Sequence, residues 1–343
     1  MNPRISIKPF IYICLLSVSI VSSLGCISES PREVVVYCAL DKEFSDEILK
    51  DFERESGIRV LSKFDQESNK TVGLANEIIQ QADKQRCDLF WNNEILHTLR
   101  LKRNNLLQPY DSAAKKNFPE QFVSPDSDWF GFAARARVFL INTDLMPNRE
   151  DWPTSVKDLA NPNRKGQGGI AKPLFGTTAS HAAVLYTQMG DEEGDRFFNA
   201  IAENSNVESG NKQVAINVAR GTYAFGLTDT DDAIIEIEAG HPVTMIFPDQ
   251  AEGEKGTLLI PNTLAITKGP NAEHAKQLVD FLLRKELEQR LAVGRSAQIP
   301  LHKQSSKKSR VEPDNLKVMK VDFEEAARNW DSIKERLVKI FPL

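Results

Sequence analysis

Short apolar runs alternate with amphipathic stretches near the start of the chain, and this alternation constrains the fold more than any other feature. The runs at residues 33–40, 58–64 and 87–93 are rich in Val, Leu and Phe. The stretches between them place apolar side chains on one helical face, and Gly57 is a typical helix stop. Near-continuous apolar strands that alternate with helices are typical of a parallel sheet covered on both faces. The sequence therefore predicts an α/β fold that begins β-α-β-α-β.

The rest of the chain repeats this pattern and adds a long strand between its two parts. Residues 129–146 are predicted to form a strand that runs from one domain into another. We expect a second β-α series at residues 166–240 and a strand pair at residues 256–269. A long amphipathic helix is expected at residues 271–294 and a last helix at residues 323–341. The last helix carries an apolar stripe, which predicts that it docks on the rest of the protein. The stripe consists of Phe323, Ala327, Trp330, Ile333, Leu337 and Ile340. A length of 343 residues favours about two domains.

The N-terminus differs from the rest of the chain. Arg4 and Lys8 precede an uncharged apolar run, residues 10–25, which is short for a membrane span and typical of a secretory signal. Residues 1–25 are therefore predicted to be a signal peptide. Cys26 follows directly and resembles the lipidation site of a bacterial lipoprotein, with an ordinary signal cleavage nearby as the alternative. No later stretch is apolar enough to cross a bilayer.

Charge and motifs narrow the class of protein. The net charge of −5 disfavours nucleic-acid binding, which normally needs a basic face. The chain has no G-x-S-x-G, H-E-x-x-H or P-loop motif, and its five histidines lack metal-ligand spacing, so we expect no enzyme. Cys38 and Cys87 are expected to be small buried residues of strands rather than a disulfide.

Three aspartates crowd into four residues of the segment GLTDTDDA, residues 226–233. Asp229, Asp231 and Asp232 come at the end of a predicted strand and the beginning of a predicted helix. A helix N-terminus favours carboxylates, so Asp231 is explained as an N-cap, but this leaves Asp229 unexplained. Several carboxylates that face one cleft are costly unless a cation neutralises them. The cluster therefore points either to a helix cap or to a binding site for a cation.

Further candidates follow the first and third predicted strands, because ligands of open α/β sheets bind outside the carboxyl ends of the strands. Asp41 follows the first strand, where the alternative role is to cap the next helix. Trp91, Asn93 and Glu94 lie at the end of the third strand, and Trp91 is expected to face the cleft. These side chains extend the predicted site beyond the three aspartates.

Matched segments, in order along the chain, carry a family resemblance. They are VVVYCALDKEFSDEILKDFERESGI, CDLFWNNEILHTLRLKRNNLLQPY, FAARARVFLINTD, GGIAKPLFGTTASHA, GNKQVAINVARG and NTLAITKGPNAEHAKQLVDFLL. With these segments the chain resembles, over about residues 33–300, the solute-binding component of bacterial ABC importers, in the group of periplasmic ferric-ion-binding proteins.

The resemblance implies the architecture of the whole chain. We expect the two-lobe periplasmic-binding-protein fold, in which hinge-linked Rossmann-like lobes enclose a ligand cleft and close around the ligand. Lobe 1 would comprise residues 33–134 and 252–300, and lobe 2 would comprise residues 135–251. Residues 301–343 would form a linker and the C-terminal helix.

The resemblance also assigns site residues position by position. The ferric-binding members hold the metal with a Tyr-Tyr pair, a His in the first loop and a Glu after the third strand, often with an anion. Asp231 and Asp232 stand at the Tyr-Tyr pair. Asp41 stands at the first-loop His, and Asn93 stands at the Glu, with Glu94 beside it. The anion-binding positions correspond to Gly176, Thr177, Thr178 and Asn211. The scaffold therefore matches, whereas the phenolate ligands do not.

Three classes of ligand fit this set of residues. A ferric or hard divalent ion accepts carboxylate oxygens. An organic cation would use the same aspartates and the ring face of Trp91. An amino-bearing anion would place its acidic part at residues 176–178, helped by Arg135 or Arg137, which point the same way on their strand and alternatively pair with an acidic loop. The predicted metal ligands are Asp41, Asp231 and Asp232.

These features together predict an extracytoplasmic receptor of an ABC importer. Iron is the default cargo of the group that the chain resembles, and a small cationic or zwitterionic solute, of the amine or aminophosphonate type, is the alternative. The expected partners are the membrane subunits of a permease, and we expect no cofactor apart from a transported metal. We expect a monomer that binds no nucleic acid. It would be periplasmic, or lipid-anchored on the outer face of the inner membrane.

Overall fold

A computed structural model describes residue 1, residues 32–65 and residues 72–342 of the chain. The predicted signal peptide and Cys26 therefore lie outside the described residues. Within the described part, no helix is both long and apolar enough to span a membrane.

The first part of the chain forms the predicted β-α-β-α-β unit. Its elements are β1 Glu33–Cys38, α1 Lys42–Ser56, β2 Arg59–Phe64, α2 Val72–Gln80, β3 Leu89–Asn92 and α3 Leu96–Arg103. The strands pair in parallel in the order β2-β1-β3. Gly57 ends α1 in a left-handed conformation, with a φ of 68°. Cys38 and Cys87 carry buried free thiols, as expected, and burial raises the pKa of Cys38 to about 12.

A single long strand connects two groups of strands. Strand β4, Phe130–Asn142, is buried along its whole length. Its first part pairs with Leu259–Ile266, and its last part pairs with Phe225–Asp229 and Val243–Ile246, all antiparallel. The register shifts near the middle of β4, around Ala133, which has a positive φ of 44°. The predicted strand is therefore confirmed, and it pairs with strands from both groups.

The second part of the chain repeats the β-α pattern. Its elements are β5 Gly168–Ala171, α4 Gly176–Met189, α5 Asp191–Asn204, β6 Asn206–Glu208, α6 Asn211–Ala219, β7 Phe225–Asp229, α7 Thr230–Glu238, β8 Val243–Ile246 and β9 Leu259–Ile266. Strands β6, β5 and β7 are parallel neighbours. In the described chain the strand order is β2-β1-β3-β9-β4-β7-β5-β6, with β8 also paired to β4. The predicted α/β fold class is confirmed.

Two predictions for residues 256–294 are wrong. The expected strand pair is the single strand β9, because Thr257 bridges to Val318 instead of to a neighbouring strand. The expected long helix is two helices, α8 Ala272–Leu282 and α9 Lys285–Val293. The chain breaks at Arg284, which has an extended backbone with a ψ of 139°. Buried leucines lie on both sides of the break, so packing rather than a Gly or Pro signal decides the turn.

The C-terminal helix α10, Phe323–Ile340, docks on the body as predicted. It packs against α3 from the first part of the fold and against α4 and α5 from the second part. Arg103 of α3 pairs with Asp331 at 3.0 Å, and Arg336 of α10 pairs with Asp191 at 2.6 Å. The predicted apolar stripe is buried, except that Ile340 is half-buried. Helix α10 therefore contacts both groups of strands through their helices.

We expect the substitution Trp330→Ala to lower the free energy of unfolding by about 3–5 kcal/mol, because it removes a large buried side chain from the face of α10 that packs on the body. Urea denaturation of the purified protein measures this change. The matched control is Arg328→Ala, on the exposed face of the same helix, which should change stability by less than about 0.5 kcal/mol. Equal effects of the two substitutions would contradict the docking of α10.

Candidate ligand cleft

A cleft of about 550 Å³ opens where the loops after β1 and β3 face the starts of α4, α6 and α7. Asp41 and Asn93 line it from the first part of the chain. Thr177, Asn211 and Asp231 line it from the second part. The cleft thus gathers residues that follow the carboxyl ends of several strands, which is the usual position of a ligand in an open α/β sheet.

A buried ion pair lies beneath the cleft and joins the strands β4 and β7. Arg137 has no exposed surface, and Asp229 is 2% exposed. The two residues are directly opposite each other in the antiparallel pairing, and Arg137 Nη1 lies 2.6 Å from Asp229 Oδ1. Burial alone would raise the pKa of Asp229, but the guanidiniums of Arg137 and Arg135 hold it below its usual range. Asp229 is therefore a stable anion inside the protein.

Polar side chains from the first turns of α4 and α6 surround this ion pair. Thr177 Oγ1 donates to Asp229 Oδ2 at 2.6 Å, and Asn211 Nδ2 donates to the same oxygen at 3.1 Å. Arg137 donates to Asn211 Oδ1 at 3.1 Å and to Thr178 Oγ1 at 3.2 Å. Three of the four residues that the resemblance assigned to an anion site, Thr177, Thr178 and Asn211, are therefore engaged with groups of the protein itself.

Arg135 brings the acidic residues of the cleft together. Its Nη1 lies 3.4 Å from Asp231 Oδ2 and 3.7 Å from Asp229 Oδ2, and its Nη2 donates to the carbonyl oxygen of Asn93. Burial would lower the pKa of Arg135. The pKa is nevertheless raised above its usual value by the negative charges of nearby carboxylates, which belong to Asp231, Asp229, Asp232 and Asp41. The structure therefore places two of the predicted acidic residues, Asp229 and Asp231, beside one guanidinium.

The aspartates at the start of α7 do not act as the predicted cap. Asp229 occupies the N-cap position, and no side chain forms a capping hydrogen bond there. Asp231 lies inside the first turn, where its Oδ1 accepts from the N–H of Asp232 at 3.1 Å. Asp41 likewise precedes α1 without a side-chain capping bond. Carboxylate oxygens of Asp229, Asp231 and Asp232 lie within 4.8 Å of one another. The interpretation of Asp231 as an N-cap is therefore wrong.

Three predicted ligand-binding residues, Trp91, Glu94 and Thr178, lie outside the cleft lining. Trp91 is fully buried and packs against Phe132, with the ring centroids 5.6 Å apart, so its ring offers no face to a ligand. Glu94 is also fully buried. Its carboxylate accepts from the N–H of His97 at 2.9 Å at the start of α3 and from the hydroxyl of Ser180 at 2.7 Å. The cleft-facing assignment of Trp91 is wrong, and Glu94 has a structural role.

Some residues of the cleft were missed by the sequence analysis. Lys172, Phe175 and Lys212 line the cleft beside Gly176. Lys172 directly follows β5, so the rule about strand ends could have identified it. Its ammonium donates to the carbonyl oxygen of Pro342 at 2.8 Å, next to the end of α10.

A buried histidine lies next to the ion pair. His181 of α4 is 3% exposed, and within the described chain its Nε2 has no hydrogen-bond partner. Burial, together with the nearby charge of Arg137, lowers its pKa from 6.5 to about 3. His181 is therefore neutral in the folded protein at any pH above about 3.

Comparison with known proteins identifies the family of the chain. Residues 96–327 match the model of the family described as "Bacterial extracellular solute-binding protein". This match covers more than half of the chain, so the protein belongs to that family. Among curated relatives, iron uptake protein A1 of Synechocystis is 24% identical over 268 residues, which cover 74% of this chain and 71% of the relative.

Solved structures agree on the two-lobe fold but carry different ligands. Iron-bound HitA from Pseudomonas aeruginosa superposes with a TM-score of 0.80 at 20% identity, over 90% of this chain and 99% of that one. AfuA from Actinobacillus pleuropneumoniae, with fructose-6-phosphate bound, gives a TM-score of 0.78 at 21% identity, over 92% and 100% of the two chains. At these identities the likeness shows the fold alone. The ligand must be argued from the side chains of the cleft.

The buried His181 predicts a pH dependence of stability. In the native state it stays neutral down to about pH 3, whereas the unfolded chain binds a proton near pH 6.5. Protons therefore favour the unfolded state, and the free energy of unfolding falls as the pH drops from about 6.5 towards about 3. We expect His181→Gln to reduce this slope by up to about 1.4 kcal/mol per pH unit.

Urea denaturation between about pH 4 and about pH 7 measures the slope for each protein. The control is His241→Gln, because the His241 side chain is 42% exposed. A slope that His181→Gln leaves unchanged would show that the imidazole is protonated in the folded state as readily as in the unfolded chain.

Proposed function

We propose that this protein is the extracytoplasmic receptor of an ABC importer and that it captures a metal ion in the cleft with Asp41, Asp231 and Asp232. Membership of the solute-binding family supports the receptor role. The names of relatives such as iron uptake protein A1 support a metal as the cargo. The observation that carries the proposal is the cluster of Asp229, Asp231 and Asp232, whose carboxylate oxygens lie within 4.8 Å of one another in a cleft that Asp41 also lines.

The charges of the cleft support a cation as the ligand. The carboxylates of Asp41, Asp229, Asp231 and Asp232 act on Arg135, and Arg137 pairs with Asp229, so two guanidiniums face four carboxylates. Lys42, Glu43 and Lys212 also line the cleft, but their side chains are exposed, where solvent and salt screen their charge. Lys172 is half-buried in the lining, and its ammonium donates to the carbonyl oxygen of Pro342. A bound cation reduces the repulsion that remains among the carboxylates.

The contacts of the aspartates indicate which of them bind the metal and which does not. Both carboxylate oxygens of Asp229 already accept from buried donors, Oδ1 from Arg137 and Oδ2 from Thr177. A metal that took Asp229 would compete with its buried guanidinium partner and weaken the ion pair, which is unfavourable. Asp41, Asp231 and Asp232 reach the cleft from opposite sides, and carboxylate oxygens are the ligands that hard cations prefer.

Iron is the cargo that the curated relatives favour, yet the donor set of this chain differs from phenolate coordination. Among the described residues that line the cleft there is no tyrosine, and aspartates stand where the Tyr-Tyr pair of the resembled group would be. Carboxylates bind both ferric iron and hard divalent ions. We therefore propose iron or a hard divalent metal, bound through oxygen ligands.

The size of the cleft favours a second candidate cargo. A volume of about 550 Å³ lies within the usual range of about 300–1,000 Å³ for small organic ligands and exceeds what a bare ion needs. Phe44, Phe175 and Ile235 add apolar surface to the lining. A small organic cation or zwitterion, with its amine on the aspartates, is therefore the alternative solute for the same receptor.

The proposal includes the arrangement and partners of the receptor. Residues 33–134 with 252–300, and residues 135–251, would form two lobes that close around the cargo by a hinge within β4 and β9. The closed form would then dock on the membrane subunits of a permease. The receptor would act as a monomer, held near the membrane by a lipid on Cys26 or diffusing freely in the periplasm.

The double substitution Asp231→Ala with Asp232→Ala should lower the affinity for the metal by at least about 100-fold, because it removes two of the three proposed ligands. Calorimetric titration of the metal-free protein with Fe²⁺ and Mn²⁺ under anaerobic conditions measures this loss. The matched control is Glu192→Ala with Glu193→Ala, an exposed acidic pair in the first turn of α5. If the control loses as much affinity as the test variant, metal binding is a surface effect.

Metal removal distinguishes the two candidate cargoes. We expect the protein purified without chelator to carry one metal ion per chain, to lose it on dialysis against EDTA and to regain it when the metal is added. Native mass spectrometry with elemental analysis makes this measurement. A metal-free protein that carries a small organic mass would instead support the organic cation or zwitterion.

A further inference from the structure

We propose that Asp229 is a built-in anion, which occupies the pocket at the starts of α4 and α6 so that the cargo binds without a companion anion from solution. This inference rests on the proposed receptor function and specifies that the cargo enters the cleft without an accompanying anion. Asp229 also lines the cleft, but this inference gives it a role distinct from that of Asp231 and Asp232, the proposed ligands of the cargo.

The groups around the Asp229 carboxylate form a pocket that suits an anion. Arg137 Nη1, Thr177 Oγ1 and Asn211 Nδ2 all donate to it, at 2.6 Å, 2.6 Å and 3.1 Å. Arg135 adds a second guanidinium at 3.7 Å. Helix α4 begins at residue 176 and helix α6 begins at Asn211, so two helix N-termini lie beside these donors. Such a set of donors would attract a phosphate or carboxylate if the place were empty.

Strand register holds the built-in anion in place before any cargo arrives. Asp229 is the last residue of β7 and pairs directly with Arg137 of β4. Neighbouring backbone pairs fix the backbone of Asp229, so its carboxylate stays within reach of the Arg137 guanidinium. Without Asp229, the fully buried guanidinium of Arg137 would lack its partner, which is the costly state for a buried ion pair.

The consequence for the cargo is a simpler binding reaction. A receptor that recruits an anion must immobilise that anion together with the cargo. Its affinity for the cargo then depends on the anion concentration. Here the carboxylate is part of the chain, and Thr177, Thr178 and Asn211 are already engaged with it or with Arg137. The cargo therefore meets the aspartates of the cleft, while the donors at the starts of α4 and α6 are satisfied within the protein.

The test empties the pocket and refills it from solution. The substitution Asp229→Gly removes the carboxymethyl group, and acetate has the matching size and charge. We expect the variant to melt roughly 5–10 °C below the wild type in chloride, because a buried ion pair is broken. Acetate should restore at least about half of this loss in melting temperature, and the effect should saturate. Chloride at equal ionic strength should not restore it, because a carboxylate matches the geometry of the hydrogen-bond donors in the pocket.

The controls separate a filled pocket from a general effect of acetate. The wild type should show no saturable response to acetate, and neither should the double variant Asp229→Gly with Arg137→Met, which lacks the buried cation. A saturable response of the wild type, or no rescue of Asp229→Gly, would overturn the proposal. If Asp229→Gly does not fold in chloride, refolding in acetate but not in chloride is the supporting result, and failure in both refutes it.

A second measurement addresses the cargo directly. The wild type should bind Mn²⁺ with the same affinity, within about twofold, whether chloride, sulfate or bicarbonate is present, because the anion place is filled. Binding that requires sulfate or bicarbonate would overturn the built-in anion while leaving the metal receptor intact. Absence of Mn²⁺ and Fe²⁺ binding in every buffer would instead contradict the proposed function, and the acetate experiment would still decide the role of Asp229.

Discussion

The salt bridge between Arg137 and Asp229 is the interaction on which the rest of the site depends. It joins β4 and β7 at 2.6 Å, away from solvent, and its polar neighbours come from the first turns of α4 and α6. A buried pair of charges is stable only when hydrogen bonds satisfy its remaining atoms. Thr177, Thr178 and Asn211 provide those bonds, so the pair ties two helix starts to the sheet directly beneath the cleft.

The pair of Arg137 and Asp229 forms because the single strand β4 pairs with two groups of strands. Strand β4 pairs with β9 up to Ala136, past the bulge near Ala133, and from Arg137 onward it pairs with β7 and β8. Arg135 and Arg137 lie just beyond this bulge, on the same face of the strand. The shift in register therefore delivers two guanidiniums to the one place where the acidic end of β7 and the loops after β1 and β3 meet. The proposed hinge and the site therefore share the same piece of backbone.

Much of this arrangement could be predicted from sequence, and the failures have a common physical origin. Apolar periodicity located the strands and helices, and the rule about strand ends located Asp41, Asn93 and the aspartate cluster, because both depend on local pattern. Trp91 and Glu94 are also at a strand end, but their side chains turn into the protein, which depends on partners distant in sequence such as Phe132 and Ser180. The opposition of Arg137 and Asp229 likewise needs the pairing register of β4 with β7, which no local pattern contains.

The acidic segment is tolerated for two different reasons along its length. Asp229 is neutralised inside the protein, and its pKa is held low by guanidiniums that would themselves be unstable without it. Asp231 and Asp232 lie in the first turn of α7 and line the cleft, where Arg135 lies near the carboxylates of both Asp229 and Asp231. The fold thus separates a structural charge, fixed by strand pairing, from charges that gain most from a cation that arrives from outside. A receptor needs this separation, because the charges that bind and release a cargo must not be those that hold the sheet together.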